Sequence, residues 1–89
     1  MTKKELIKTT FKHYPYTEEW EHQVKVAAEN GAWTSNFQFN KRHSMEKLEV
    51  FKLWCAFYNF DVMYETMPQQ HYIFATVSWC PNIVVEKKD

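Results

Sequence analysis

The stretch Val50-Phe-Lys-Leu-Trp-Cys-Ala-Phe-Tyr-Asn-Phe60 is apolar except at Lys52 and Asn59. A run this greasy must be buried over most of its surface, and it is too long for one strand, so it reads as a helix. Ser44 stands where an N-cap is wanted, with Glu46 in the first turn near the positive end of the helix dipole. Asn59 suits the left-handed residue that ends it, being the best substitute for glycine there. At about 100° per residue, Leu48, Phe51, Trp54, Cys55 and Tyr58 share one face. Val50, Leu53 and Phe57 form a second ridge flanked by Glu46, Glu49 and Lys52. A helix resting on a small sheet needs only one apolar face. The second ridge therefore packs under other helices or forms an interface with a protein partner or a second copy.

The rest of the chain must supply the surfaces that this helix covers. With 89 residues there is room for a single domain, and one this small is marginally stable. Two cysteines, Cys55 and Cys80, allow one disulfide at most and show no metal-ligand spacing; Cys55, inside the helix, reads as a small core residue and both as reduced thiols. Stability must come instead from seven Phe, five Tyr and four Trp. Aromatics bury large areas each, and that many exceed what a small core holds, so some reach the surface or an interface. Trp20, Leu48, Phe51, Trp54 and Trp79 are the expected core.

Taken in order, Thr2-Lys-Lys-Glu5 fits a capping box, and Leu6, Ile7, Thr10, Phe11 and Tyr14 follow at helical spacing until Pro15 stops the helix. Thr17 is the expected cap of a second helix with Glu18, Glu19 and Glu21 at its start and Trp20, Val24, Ala27 and Ala28 as its stripe. Gly31, the sole glycine, closes it in the left-handed conformation. Trp33, Phe37 and Phe39 alternate with Thr34, Asn36 and Gln38, the period of a half-buried strand. After the apolar helix, Asp61 to Thr66 alternates again, Met67-Pro-Gln-Gln70 turns the chain, and His71 to Trp79 is a β-rich strand. Ile83-Val-Val85 is a short added strand or a tail. The order is α-α-β-α-β-β. Helices on one face of a three-stranded antiparallel sheet of order 1-3-2 make an α+β domain, divided into an N-terminal helix (1–16), a core (17–79) and a tail (80–89). The outer sheet face is expected to carry Tyr64, Tyr72 or Phe74, according to register.

The segment Glu18 to Trp79 resembles a broad set of small phage-encoded proteins. The matching features are the helix end Ala-Ala-Glu-Asn-Gly31, then Trp-Thr-Ser-Asn-Phe-Gln-Phe39, Leu53-Trp, Tyr-Asn-Phe-Asp-Val62 and Val77-Ser-Trp79. In that set the helix end is usually Gly followed by an aromatic, and the last tripeptide is often Ile-Ser-Trp; here Asn59 and Val77 stand instead. The resemblance implies a small accessory factor. Some similar proteins bind and disable a host or defence protein, and others sequester a nucleotide signal. No catalytic residue comes with it.

The chemistry is sparse. A single glycine excludes the dinucleotide fingerprint and the P-loop, which need several for close phosphate approach. His13, His22, His43 and His71 are scattered, Glu18, Glu19 and Glu21 suit a solvated helix start, and no nucleophile–base pair is apparent. The expectation is a non-enzymatic protein without cofactor or metal. Basic and acidic residues balance at 11 each, which argues against non-specific nucleic-acid binding. No run approaches the roughly 20 apolar residues of a membrane span, and with no signal-peptide pattern a cytoplasmic location is expected. Lys41-Arg42-His43, before the apolar helix, is the densest basic spot and could hold an anion with that helix's free N–H groups. Three functions follow: an inhibitor acting through protein–protein contact, an oligomer sequestering a small nucleotide at the basic loop beside Trp33 and Trp54, or a virion structural subunit.

Overall fold

Among the described residues, three helices and three strands form where the period of the apolar residues changes from about 3.6 to 2. The structure, a computed structural model, describes residues 1–66 and 71–81. The elements are α1 (Lys3–Phe11), α2 (Tyr16–Glu29), β1 (Thr34–Asn40), α3 (Met45–Phe57), β2 (Asp61–Thr66) and β3 (Tyr72–Ser78). The sheet is antiparallel with order β1-β3-β2, so the fold is α+β in the expected arrangement. The expected turn at 67–70 and the Ile83–Val85 segment lie outside the described residues.

Helix ends follow local chemistry. The Thr2 hydroxyl accepts from Glu5 N–H (3.1 Å), and Glu5 Oε1 accepts from Thr2 N–H (2.9 Å), closing the capping box of α1. At the end of α2, Gly31 has φ 88°, and Ala32 N–H reaches Ala27 O (2.9 Å) while Gly31 N–H reaches Ala28 O (3.0 Å). The end of α3 repeats this around Asn59, φ 61°, with Phe60 N–H on Cys55 O (2.9 Å) and Asn59 N–H on Ala56 O (3.1 Å). Both are Schellman ends, which satisfy carbonyls a helix terminus leaves free.

Three local expectations are corrected. First, α1 stops at Phe11 rather than near Tyr14, and Lys12 to Tyr14 turn through short-range bonds before Pro15. Second, Thr17 does not cap α2, which begins one residue before it. Its own N–H already bonds Tyr14 O (3.0 Å), and Glu18 N–H bonds Pro15 O. The buried Thr17 hydroxyl donates backward instead, to Phe11 O (3.0 Å) and Tyr14 O (2.8 Å), fastening α2 to the end of α1. Third, Ser44 occupies the N-cap position of α3 without a side-chain capping bond.

The core is an aromatic cluster centred on Phe51. Its ring meets Trp20 of α2 (5.1 Å), Phe37 and Phe39 of β1 (5.1 and 4.8 Å) and Trp54 (5.9 Å). Such offset and edge-on pairs add to the stabilisation from burial alone. Ala75 and Val77 of β3 floor the cluster, and Leu48 and Cys55 close it. Trp79 packs against it half-buried, through Phe60, rather than inside it. Burial pushes the Cys55 thiol up to about 12, so it stays protonated. Trp54 Nε1 is buried and has no acceptor among the described residues, a cost of about 1–3 kcal/mol that burial of the rings must offset.

Register settles the two sheet faces. Ser35, Phe37, Phe39, Val62, Tyr64, Ile73, Ala75 and Val77 share the helix side, while Tyr72, Phe74, Met63 and Glu65 lie on the outer side. Tyr64, directly opposite Ala75, therefore faces the helices, with the Lys52 ammonium over its ring (6.0 Å). The outer face is mixed rather than aromatic: Thr76 Oγ1 donates to Asn36 Oδ1 (2.9 Å) beside Met63. Trp33 precedes β1 and is 55% exposed rather than sharing the inner face with Phe37 and Phe39. Ser35 takes the inner position, because Gln23 of α2 reaches down to bond its hydroxyl (3.0 Å) and the Asn36 carbonyl (2.8 Å).

Candidate functional site

The second ridge of α3 splits. Val50 is buried within the chain's own core, and Phe57 is half-buried with its ring edge-on to Phe11 of α1 (5.8 Å). Leu53, between them, is 64% exposed. It lines a groove of about 500 Å³ whose other wall is α1: Leu6, Ile7, Thr10 and Phe11 face Leu53, Ala56 and Phe57, with Lys3 at one end. Leu6, itself 51% exposed, is the largest contribution that α1 leaves uncovered.

The lining explains what the groove can hold. The one hydroxyl on its walls, Thr10 Oγ1, donates to Leu6 O (3.0 Å), so its methyl group is what remains for an occupant. Main-chain groups of α1 and α3 are taken up in the helices. Only the Lys3 ammonium at the rim is a polar anchor. An apolar trough between two helices fits the apolar stripe of a third helix or a short apolar segment. It offers nothing to orient a polar metabolite.

A second hollow, of about 200 Å³, lies between α1 and α2. Lys8 and Lys12 face Glu18 and Glu21 across it, and the Tyr58 hydroxyl donates to Glu21 Oε2 (3.0 Å). Desolvation and that bond hold the Tyr58 hydroxyl above its usual range. Tyr58 is partly exposed here rather than turned into the core. The opposed charges balance, leaving no preference for an anion or a cation.

The loop of Lys41, Arg42 and His43 is organised by Asn40. Asn40 Oδ1 accepts from Arg42 N–H (2.8 Å), its carbonyl accepts from His43 (3.3 Å) and Ser44 (2.9 Å), and Lys41 N–H bonds His71 O (2.7 Å). The loop's own N–H groups are thus taken, and Glu46 in the first turn of α3 adds a negative charge near the helix start that disfavours an anion. The expected juxtaposition with Trp33 and Trp54 does not occur. Trp33 and Lys41 stand at opposite ends of β1, about 26 Å apart at the rise of a strand, and Trp54 is 1% exposed.

Among the described residues, no three His, Cys, Asp or Glu side chains gather in a metal-binding group, and no helix is long and apolar enough to cross a membrane. The alternation of β1 could have identified Ser35, since 35, 37 and 39 share a parity; the exposed Trp33 hid it. The contribution of Leu6 and Ile7 to the groove depends on how α1 crosses α3, which no local pattern encodes. No family model, curated protein or solved structure matches the chain.

Proposed function

We propose that the chain acts by binding rather than by chemistry, and that the groove between α1 and α3 receives an apolar segment of a protein partner. One observation carries this reading: Leu6 and Leu53, 51% and 64% exposed, line the same apolar trough between α1 and α3, where the Thr10 hydroxyl is already bonded within its own helix. With the phage-type resemblance, the role that fits is an accessory factor that occupies and disables a host or defence protein. Nucleotide capture is not supported by the placement of Trp33, Trp54 and the Asn40 loop. Neither the groove nor the hollow between α1 and α2 supplies a nucleophile–base pair.

The test places a photo-crosslinking side chain at Leu53 and compares a Leu6→Lys/Leu53→Lys variant with the parent. Both positions are exposed, so the variant is expected to stay folded. The reading requires one stoichiometric adduct through position 53 and at least a tenfold loss of that partner in the double variant. Undiminished capture by the folded variant contradicts it.

A further inference from the structure

The open rim of β2 is a second unfilled surface, separate from the groove. At the two ends of the β1–β3 ladder, Lys41 N–H bonds His71 O and Trp79 N–H bonds Trp33 O. Residues of odd number in β1 and β3 therefore bond each other, and the even-numbered residues of β3 turn toward β2. By the register, Asp61, Met63 and Glu65 bond β3. Val62, Tyr64 and Thr66 then direct their N–H and C=O groups away from the sheet, where no backbone partner meets them among the described residues.

The opposite edge is treated differently. The outward carbonyl of Asn36 in β1 is bonded by Gln23 of α2. Among the described residues the β2 rim has no such cover, and neither a bulge nor a proline interrupts its six residues. Cover, bulges and prolines are among the devices that keep an edge from pairing, and β2 carries another, the charges of Asp61 and Glu65.

Charge decides which strand could pair there. Beside an added antiparallel strand, Asp61, Met63 and Glu65 fall at the non-hydrogen-bonded positions, where opposed side chains come closest. A second copy of β2 fits badly. Pairing must keep the two faces matched, and the register centred on Met63 sets Asp61 against Glu65 twice. The register centred on Tyr64 presses Met63 against Glu65 twice. Like charges directly opposed destabilise a pair. A strand with Lys or Arg two residues on either side of an apolar residue answers all three positions.

We infer that the β2 edge binds an extended, basic protein segment by strand addition, with cations opposite Asp61 and Glu65 around an apolar residue opposite Met63. Main-chain bonds from Val62, Tyr64 and Thr66 supply the affinity and the acidic pair supplies the selection. Met63, 75% exposed, is covered by the added strand.

The probe is the peptide Thr-Lys-Thr-Val-Thr-Lys-Thr, with a counterpart carrying Glu for Lys, titrated into the full chain. The Lys peptide is expected to bind about tenfold or more tightly than the Glu peptide and to slow amide exchange at Val62, Tyr64 and Thr66. Asp61→Lys/Glu65→Lys, at two exposed positions, should reverse the preference. Tyr64→Pro removes an outward N–H without touching the β3 ladder and should abolish binding. If that variant does not fold, the charge reversal decides. Equal affinity for the two peptides, binding by neither at millimolar concentration, or perturbations confined to α1 and α3 would overturn the inference. A Leu53→Lys variant should bind the Lys peptide unchanged, which separates this edge from the groove.

Discussion

Helices α1 and α2 are neighbours in sequence and both amphipathic, yet they are held in different ways. α2 inserts Trp20 among Phe39, Phe51 and Trp54, bonds β1 through Gln23 and fastens itself to the preceding turn through Thr17. α1 buries only Phe11 and leaves Leu6 in the open. A nine-residue helix is marginal in water without tertiary packing, and the capping box provides the local support that packing does not. The difference teaches that α2 completes the core, whereas α1 builds a wall. With one side of that wall unfilled, the groove against α3 remains.

The comparison is most easily broken at Trp20. Trp20→Ala should cost about 3–5 kcal/mol, read by denaturant unfolding, and should abolish the near-ultraviolet signal of the core; a loss below about 1 kcal/mol would mean that α2 is as loosely held as α1.

Alkaline titration probes the same core. Burial raises the Cys55 thiol to about 12, and desolvation raises Tyr58 and Tyr64 above their usual range. For each group the native state holds its proton where the unfolded chain has released it. The Cys55 contribution is therefore complete below about pH 9 and lost as pH rises toward 12, and the two tyrosines act in the same direction. Unfolding midpoints should fall steadily through that window, and Cys55→Ala should flatten the fall.

Smaller effects belong to the single bonds that fasten α2 and cap α1. Thr17→Val removes the hydroxyl bonds to the Phe11 and Tyr14 carbonyls, which keep one backbone donor each, and Gln23→Ala removes the side-chain donor to Asn36 O. Each should cost about 1–2 kcal/mol by equilibrium unfolding. Thr2→Ala removes the α1 cap, worth about 1 kcal/mol of helix stability. Amide exchange should then quicken in α1 while α2 is unchanged.

Where structure is dictated within a few residues, it was legible in the sequence. The capping box at Thr2, the left-handed ends at Gly31 and Asn59, and the alternation that marks β1 as a half-buried strand are all local. Features that depend on how elements cross were not. Thr17 looked like a cap because its neighbours are acidic, but α2 already begins at Tyr16, and the Thr17 hydroxyl donates back to the Phe11 and Tyr14 carbonyls. Trp33 looked buried by parity with Phe37, yet α2 ends before it can cover that position. Val50, Leu53 and Phe57 share one ridge on a helical wheel, and only the path of α1 across α3 separates the buried from the exposed. Tyr64 needed the register to place it.

The central claim is that the α3 ridge divides into a residue the fold requires and a residue it leaves for a partner. Equilibrium unfolding of Val50→Asp and Leu53→Asp, side by side, tests it most directly. The account predicts that Leu53→Asp unfolds within about 0.5 kcal/mol of the parent, as surface substitutions do. It predicts that Val50→Asp, a carboxylate placed in an apolar core, loses cooperative folding. Equal destabilisation by the two would contradict it.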